Sequence, residues 1–310
     1  MNVKNILISL FKNKVALVTH NSKFHLDDIF ACATLQLVLD KENTPYKIIR
    51  TRNMSIIEKG DYVFDVGGIY NPETNRFDHH QPEGAGVRPN GIPFASFGLV
   101  WKHFGHELCQ PEIAQEIDMK IASGIDAIDN GISITKPIFP DVTPLTFGDL
   151  ASSFKPSWKH EDEDGFDKGF SDIVAIAKEF LKREIIYLTD FKEAEDLVEI
   201  GYKNAEDKRV VILDQYSPGK SKLGLHPEPL YVIFPNHIDK TWMVSTVQNE
   251  DSEFINRKDL PKSWAGLRDD ELARVTTVPD AVFCHKGLFL AAARSKEGAI
   301  KLAKIAIENV

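Results

Sequence analysis

The chain has 310 residues, 43% of them hydrophobic and 27% charged, values ordinary for a soluble globular protein and a length that suggests two domains rather than one small one. Its three cysteines, Cys32, Cys109 and Cys284, lie far apart with no CxxC pair, which argues against a disulfide framework or a thiolate zinc site and fits a reducing cytoplasm. The formal net charge is -9, and residues 206–310 carry 15 basic and 15 acidic side chains, leaving 22 against 31 in residues 1–205. Such a chain does not attract a polyanion through its overall field, because nucleic-acid grip comes mostly from Lys and Arg on phosphates.

In chain order, Ile6 to Phe11 is apolar but short and is closed by Lys12 and Lys14. It lacks an export-cleavage pattern, and no apolar run approaches the roughly 20 residues that cross a bilayer. A core strand or helix is expected there. Val15–Thr19 reads as a buried strand leading to His20. His25, Asp27 and Asp28 then open a helix to Asp40, whose Ile29, Phe30, Ala33, Leu37 and Val38 recur at three- and four-residue spacing. Asp28 also suits a helix-cap role, since carboxylates are favoured at a helix N-terminus.

Tyr46–Arg50 and Asp61–Asp65 read as further strands, the second ending on a carboxylate. Turn chemistry at Gly67-Gly68 and Asn71 to Asn75 makes Ile69-Tyr70 and Arg76-Phe77 a small hairpin leading into Asp78-His79-His80. Phe94 to Phe104 is predicted helical with Gly105 ending it, and a second helix runs from Pro111 to about Ile128, past Asp126 and up to Asp129. The alternation predicts an α/β fold with a mostly parallel sheet. Residues 141–164 read as solvated loop, and a long helix follows to Gly201. Beyond it, Arg209–Leu213, Pro229–Phe234, Thr241–Val247 and Ala281–His285 read as strands, with helices over Ser263–Val275 and Ser295–Asn309.

Four elements of the first half therefore end in Asp or His, and in an open α/β sheet strand ends converge on one crevice. A lone Asp or His there is commonly a cap or turn residue; the signal is the repetition. His20, His25, Asp27, Asp65, His79 and either Asp126 or Asp129 are more oxygen and imidazole ligands than one ion needs, and without thiolate they suit Mn²⁺ or Mg²⁺ better than structural Zn²⁺. A pair of such ions activates water and stabilises both attacking and leaving oxygens in phosphoryl transfer. Phosphoester hydrolysis is the chemistry these residues favour.

Asp78-His79-His80, with the upstream His and Asp motif, resembles the DHH superfamily of phosphoesterases, which includes RecJ-like exonucleases, oligoribonucleases and family II pyrophosphatases. More closely, His20-Asn21 with Phe24 to Asp28, Asp65 to Tyr70, Arg76 to Gln81, Lys102 to Gly105, Ile125 to Gly131, Trp264 to Asp269 and the segment from Val282 to Ala299 resemble the MYG family, named for melanocyte proliferating gene. The resemblance implies a DHH-type metal-bearing catalytic domain over residues 1–150, a loop and connecting helix over 151–205, and a smaller α+β substrate-binding domain over 206–310. It implies a divalent-metal-dependent 3′–5′ exonuclease acting on RNA, and the absence of a basic stripe narrows the expectation to short single strands.

Carried over by position, His20, His25 and Asp27 stand at the first motif, Asp65 is the bridging carboxylate, and His79 is the third-motif ligand. Asp129 fits the fourth motif better than Asp126. Asp78 and His80 fall in the catalytic role, His80 orienting phosphate or protonating the leaving oxygen. His25 replaces an Asp of the wider superfamily, and Leu290 with Ala291, Ala292 and Ala293 stands where glycines would allow close approach to substrate. Arg268, His285, Lys286 and Arg294 remain as substrate contacts. Two alternatives stand beside the exonuclease: a small-nucleotide or pyrophosphate hydrolase, and a metal-binding regulatory protein without catalysis. Oligomerisation is left open.

Overall fold

A computed structural model describes residues 14–139, 141–160, 162–249 and 252–309; the apolar stretch Ile6 to Phe11 lies outside them. The chain divides into two compact units, the first ending at Thr189 and the second beginning at Asp190. In the first, strands β1 (Val15–Thr19), β2 (Tyr46–Arg50), β3 (Tyr62–Phe64), β4 (Tyr70–Asn71) and β5 (Arg76–Phe77) form one sheet in the order β2-β1-β3-β5-β4. All pairings are parallel except β4 with β5, which is the expected hairpin.

Strand alternation sets the core. Leu17, Phe64 and Phe77 face the main cluster, while Ala16, Val18 and Val63 point the other way, against Ile57 of the short helix α2 (Met54–Ile57). The main cluster is completed by α1 (Leu26–Lys41), α3 (Ser96–Leu108), α4 (Pro111–Ile117) and the first half of α7 (Glu163–Asn204). A π turn over Asp118–Ala122 joins α4 to α5 (Ser123–Asp129).

Two sequence expectations change here. Gly105 does not end α3, which continues to Leu108; a Cβ at Gly105 would stand 2.9 Å from Trp101, so the glycine makes room for a buried ring. The expected loop over 141–164 contains a helix, α6 (Phe147–Ser153), closed by Thr146 and Asp149 capping each other. The helix was hidden because its apolar residues are few and flanked by loop composition.

The second unit carries a five-stranded sheet in the order β11-β12-β8-β7-β6: β6 (Val210–Ile212), β7 (Tyr231–Asn236), β8 (Thr241–Thr246), β11 (Ala281–Cys284) and β12 (Leu290–Ala293). Only β6 with β7 is parallel. A small antiparallel pair, β9 (Gln248–Asn249) with β10 (Ser252–Asn256), stands apart from it. One face packs on Trp264, α8 (Asp269–Thr276) and α9 (Lys296–Glu308), and the other on Val198 and Leu223. The helix expected over Ser263–Val275 begins only at Asp269; before it lie a 3-10 turn, Lys262–Trp264, and an extended Arg268.

Ala291, Ala292 and Ala293 form a central strand and are fully buried. Their methyls fill the two faces of the sheet, Ala291 and Ala293 on one side and Ala292 on the other. Among the described residues no helix is long and apolar enough to cross a membrane.

Candidate metal centre

The C-terminal ends of β1, β3 and β5 open on the N-terminus of α1 and the C-terminus of α5, and these elements bring His20, His25, Asp27, Asp65, His79 and Asp129 together. His20 is buried just past β1. Its Nδ1 lies 3.0 Å from the Asn21 carbonyl, and its Nε2 faces Asp28 at 3.3 Å and Asp65 at 3.2 Å. His25 precedes α1, and its backbone N–H donates to Asp28 Oδ1 at 2.8 Å. The cap role of Asp28 is real, and its second oxygen turns to His20.

Asp65 follows β3 in a left-handed conformation, φ 53°, which aims its carboxylate into the cluster. One oxygen faces His20, and the other lies 3.5 Å from His79 Nε2 and 3.5 Å from His80 Nδ1. His79 Nε2 is also 3.2 Å from Asp129 and 3.9 Å from Asp27. Possible ligand atoms thus gather in three overlapping groups: His20, His25 and Asp65; Asp65, His79 and His80; Asp27, His79 and Asp129. Asp65 belongs to two of them, and so does His79.

Asp126 takes a different part. Its carboxylate accepts from Gly98 N at 3.0 Å and from Arg88 Nη2 at 2.7 Å, while Arg88 Nη1 holds Asp118. Asp27 accepts from Ser96 N at 2.9 Å and Phe97 N at 2.6 Å. Two buried carboxylates therefore clamp the N-terminus of α3, where unpaired N–H groups and the helix dipole favour negative charge. The approach is close enough that a Cβ on Gly98 would sit 1.9 Å from Asp126 Oδ2. Arg88 carried no local signal in the sequence, because its partners lie 30 and 38 positions away.

Asp78 is equally committed. Its Oδ2 accepts from Gly68 N at 2.5 Å, and its Oδ1 accepts from His79 N at 2.8 Å and from His80 Nδ1 at 2.7 Å. The His80 ring is left 61% exposed on the cleft. The other candidates, Arg268, His285, Lys286 and Arg294, are exposed residues of the second unit. Arg268 lies over the Phe283 ring. His285 and Lys286 stand at the β11–β12 turn and Arg294 at the opposite end of that hairpin, roughly 10 Å of strand apart.

The electrostatics are those of carboxylates crowded with too little positive charge. Burial and the neighbouring Asp65 and Asp129 charges hold the Asp27 pKa well above the ordinary carboxylate range. Burial pushes Asp28 up to about 7 against the pull of His20. For His20 and His79 burial works against the charged ring, but nearby carboxylates outweigh it: both are raised, His79 up to about 10. Burial of Asp65 is in turn outweighed by the two imidazoles, which hold it low. Protons here do the work of a cation. His79 Nε2 and Asp28 Oδ2 are buried without a well-aligned hydrogen bond, a costly state unless something else pairs with them. A donor set of imidazole nitrogen and carboxylate oxygen fits a divalent metal ion.

A cleft of about 1160 Å³ opens at this cluster. Arg52, Lys120 and Lys155 stand on its wall and were not singled out in the sequence; being isolated basic residues, they offered no motif.

A parallel-rich α/β unit with a crevice of His and Asp at its strand ends defines a candidate metal-binding protein. A family model, MYG1_exonuc, described as an uncharacterised protein family (UPF0160), matches residues 16–307. The chain is similar to the human MYG1 exonuclease, 31% identical over 92% of this chain and 84% of the relative. An MYG1 protein of Schizosaccharomyces pombe is 29% identical over 96% and 98%, and one of Chlamydia pneumoniae 31% over 94% and 96%. The chain belongs to the MYG1 family.

Proposed function

We infer that the protein is a divalent-metal-dependent phosphodiesterase, a 3′–5′ exonuclease on short single-stranded RNA. The position of Asp65 carries the reading: a buried carboxylate shared between two groups of possible ligands, one oxygen toward His20 and the other toward His79. In this reading His20, His25 and Asp65 would hold one ion, Mn²⁺ or Mg²⁺, and Asp27, His79 and Asp129 a second, with the other oxygen of Asp65 facing the His79 of that second set. When bound, the ions supply Lewis-acid stabilisation of charge on the phosphate oxygens. The names of the human and other mammalian relatives as MYG1 exonucleases support a nuclease-type activity.

The chain's own residues have separable roles. Asp78 fixes the His80 ring through Nδ1, and that hydrogen bond raises the imidazole pKa, which favours a general-acid role for the exposed ring toward the leaving oxygen. The reaction adds water across one phosphodiester bond, releasing a nucleoside monophosphate and an oligonucleotide one residue shorter with a free hydroxyl. The net negative charge, with Arg52, Lys120 and Lys155 on the cleft wall, suits short strands gripped near the reacting phosphate, and the three free cysteines suit a cytoplasmic setting.

The test is single-stranded RNA carrying a 5′ label, incubated with the wild-type chain and His79→Ala in Mn²⁺ and in excess chelator. A ladder of 5′-labelled products shortening one nucleotide at a time, lost with chelator and reduced at least 100-fold by His79→Ala, is expected. Immediate release of labelled mononucleotide reverses the polarity. No product from RNA, DNA or small nucleotides, despite Mn²⁺ binding, overturns the hydrolase.

A further inference from the structure

The metal centre occupies only part of the cleft. Away from it the wall is apolar: Ile121 of the π turn, Ile128 of α5, Ile134 of the following loop, Phe147 of α6 and Phe180 of α7. Ile128 and Ile134 are 57% and 52% exposed, and Phe147 and Phe180 are half-buried, so apolar surface is open to the cavity. Phe147 is held edge-on by Phe30, ring centroids 5.1 Å apart, and is 5.8 Å from Phe180, which fixes an aromatic wall in place. Hydroxyls are scarce on this side, since the Thr146 side chain is engaged with Asp149.

Lys155 lines the same cavity. Its ammonium lies 5.4 Å from the Phe24 ring, is half-buried, and forms no ion pair among the described residues. One end of the cavity thus suits an anionic phosphate and the other a flat, weakly polar ring. A nucleotide carries both groups in one small ligand.

We propose that the apolar wall formed by Ile121, Ile128, Ile134, Phe147 and Phe180 is a nucleobase subsite that receives the terminal base of the substrate, with Lys155 on its phosphate. It rests on the phosphodiesterase reading and names what that site grips. The base is held by its faces rather than by its hydrogen-bonding edge, so purines and pyrimidines are both accepted, stacking being available to every base.

The test is binding of product-like ligands, which requires no turnover. Calorimetry with the full chain in Mn²⁺ compares AMP, CMP and ribose 5-phosphate. AMP and CMP are expected to bind within about fivefold of one another and at least tenfold more tightly than ribose 5-phosphate. Phe147→Ala, and the exposed-loop variant Ile134→Ser where folding of the first is in doubt, bring the ratio toward one while leaving ribose 5-phosphate affinity within twofold. Lys155→Met weakens all three alike. Equal affinity for ribose 5-phosphate and AMP overturns the subsite, as does an unchanged ratio in a folded Ile134→Ser protein. AMP binding by a chain that cleaves no phosphodiester sinks the hydrolase and keeps the subsite, so the two failures are distinguishable.

Discussion

His79 and Asp65 set the pH behaviour of the metal-free centre. His20 and His79 hold protons more tightly folded than unfolded, so their contribution is complete below the ordinary histidine value of 6.5 and is lost as pH rises, for His79 up to about 10. Asp28 follows the same direction: its protonated form is favoured in the fold, and that contribution is lost by about pH 7. Asp65 runs oppositely, but only in acid. The melting temperature of chelated protein is therefore expected to fall from pH 6 to pH 9. Because metal must displace these protons, binding tightens by about tenfold per pH unit for each proton released, and a fixed Mn²⁺ concentration raises the melting temperature more at pH 8 than at pH 6. Equal shifts at both pH values would mean that no proton is displaced.

Helix α3 and strand β12 show how elements hold these residues. Arg88 is the only cation contacting Asp126 among the described side-chain pairs, and Asp126, by accepting from Gly98 N, ties the N-terminus of α3 to α5, the helix that carries Asp129. Arg88→Met leaves a buried carboxylate unpaired and is expected to cost about 3–5 kcal/mol in urea unfolding; adding Asp126→Asn should recover part of it, and a loss under 1 kcal/mol would show that the pair bears little. In β12, Ala292 is fully buried in the apolar layer that includes Val232, Phe234 and Met243, with Met243 of β8 and Phe283 of β11 as its cross-strand neighbours. Ala292→Leu overpacks that layer by about 1–3 kcal/mol, read as a lower denaturation midpoint with the metal-dependent shift of the first unit retained.

Across the molecule, charge and chemistry are separated. Net charge is strongly negative, yet Arg52, Lys120 and Lys155 line the one cleft that holds the His/Asp cluster, and Lys120 is already paired with Glu184. Two or three phosphate contacts give a shallow salt dependence: for single strands, log affinity against log salt should have a slope of about -2 or less steep. A slope near -5, measured by fluorescence anisotropy of a labelled short RNA on the His79→Ala protein, would require a basic surface that the charge distribution does not supply.

Much of this protein is legible in one dimension. Periodicity marks α1 and α9, because burial of one helix face forces apolar residues to repeat at three-to-four positions, while an apolar run marks β1 and turn chemistry marks the β4–β5 hairpin. The sequence likewise singles out six residues that the fold gathers at one crevice, since strand ends of a parallel sheet share an edge. Tertiary structure alone decides between the two acids of Ile125 to Gly131: Asp126 and Asp129 are three residues apart on one helix, and Arg88 and Gly98 capture the first while the second is left beside His79. It also makes the Ala291–Ala293 run a packed strand, and it gathers Lys155, Phe147 and Ile134 into one cavity. Spacing along a chain encodes which face of an element a residue occupies; which partner meets that face is set by contacts between residues 30 or more positions apart, and no local pattern records them.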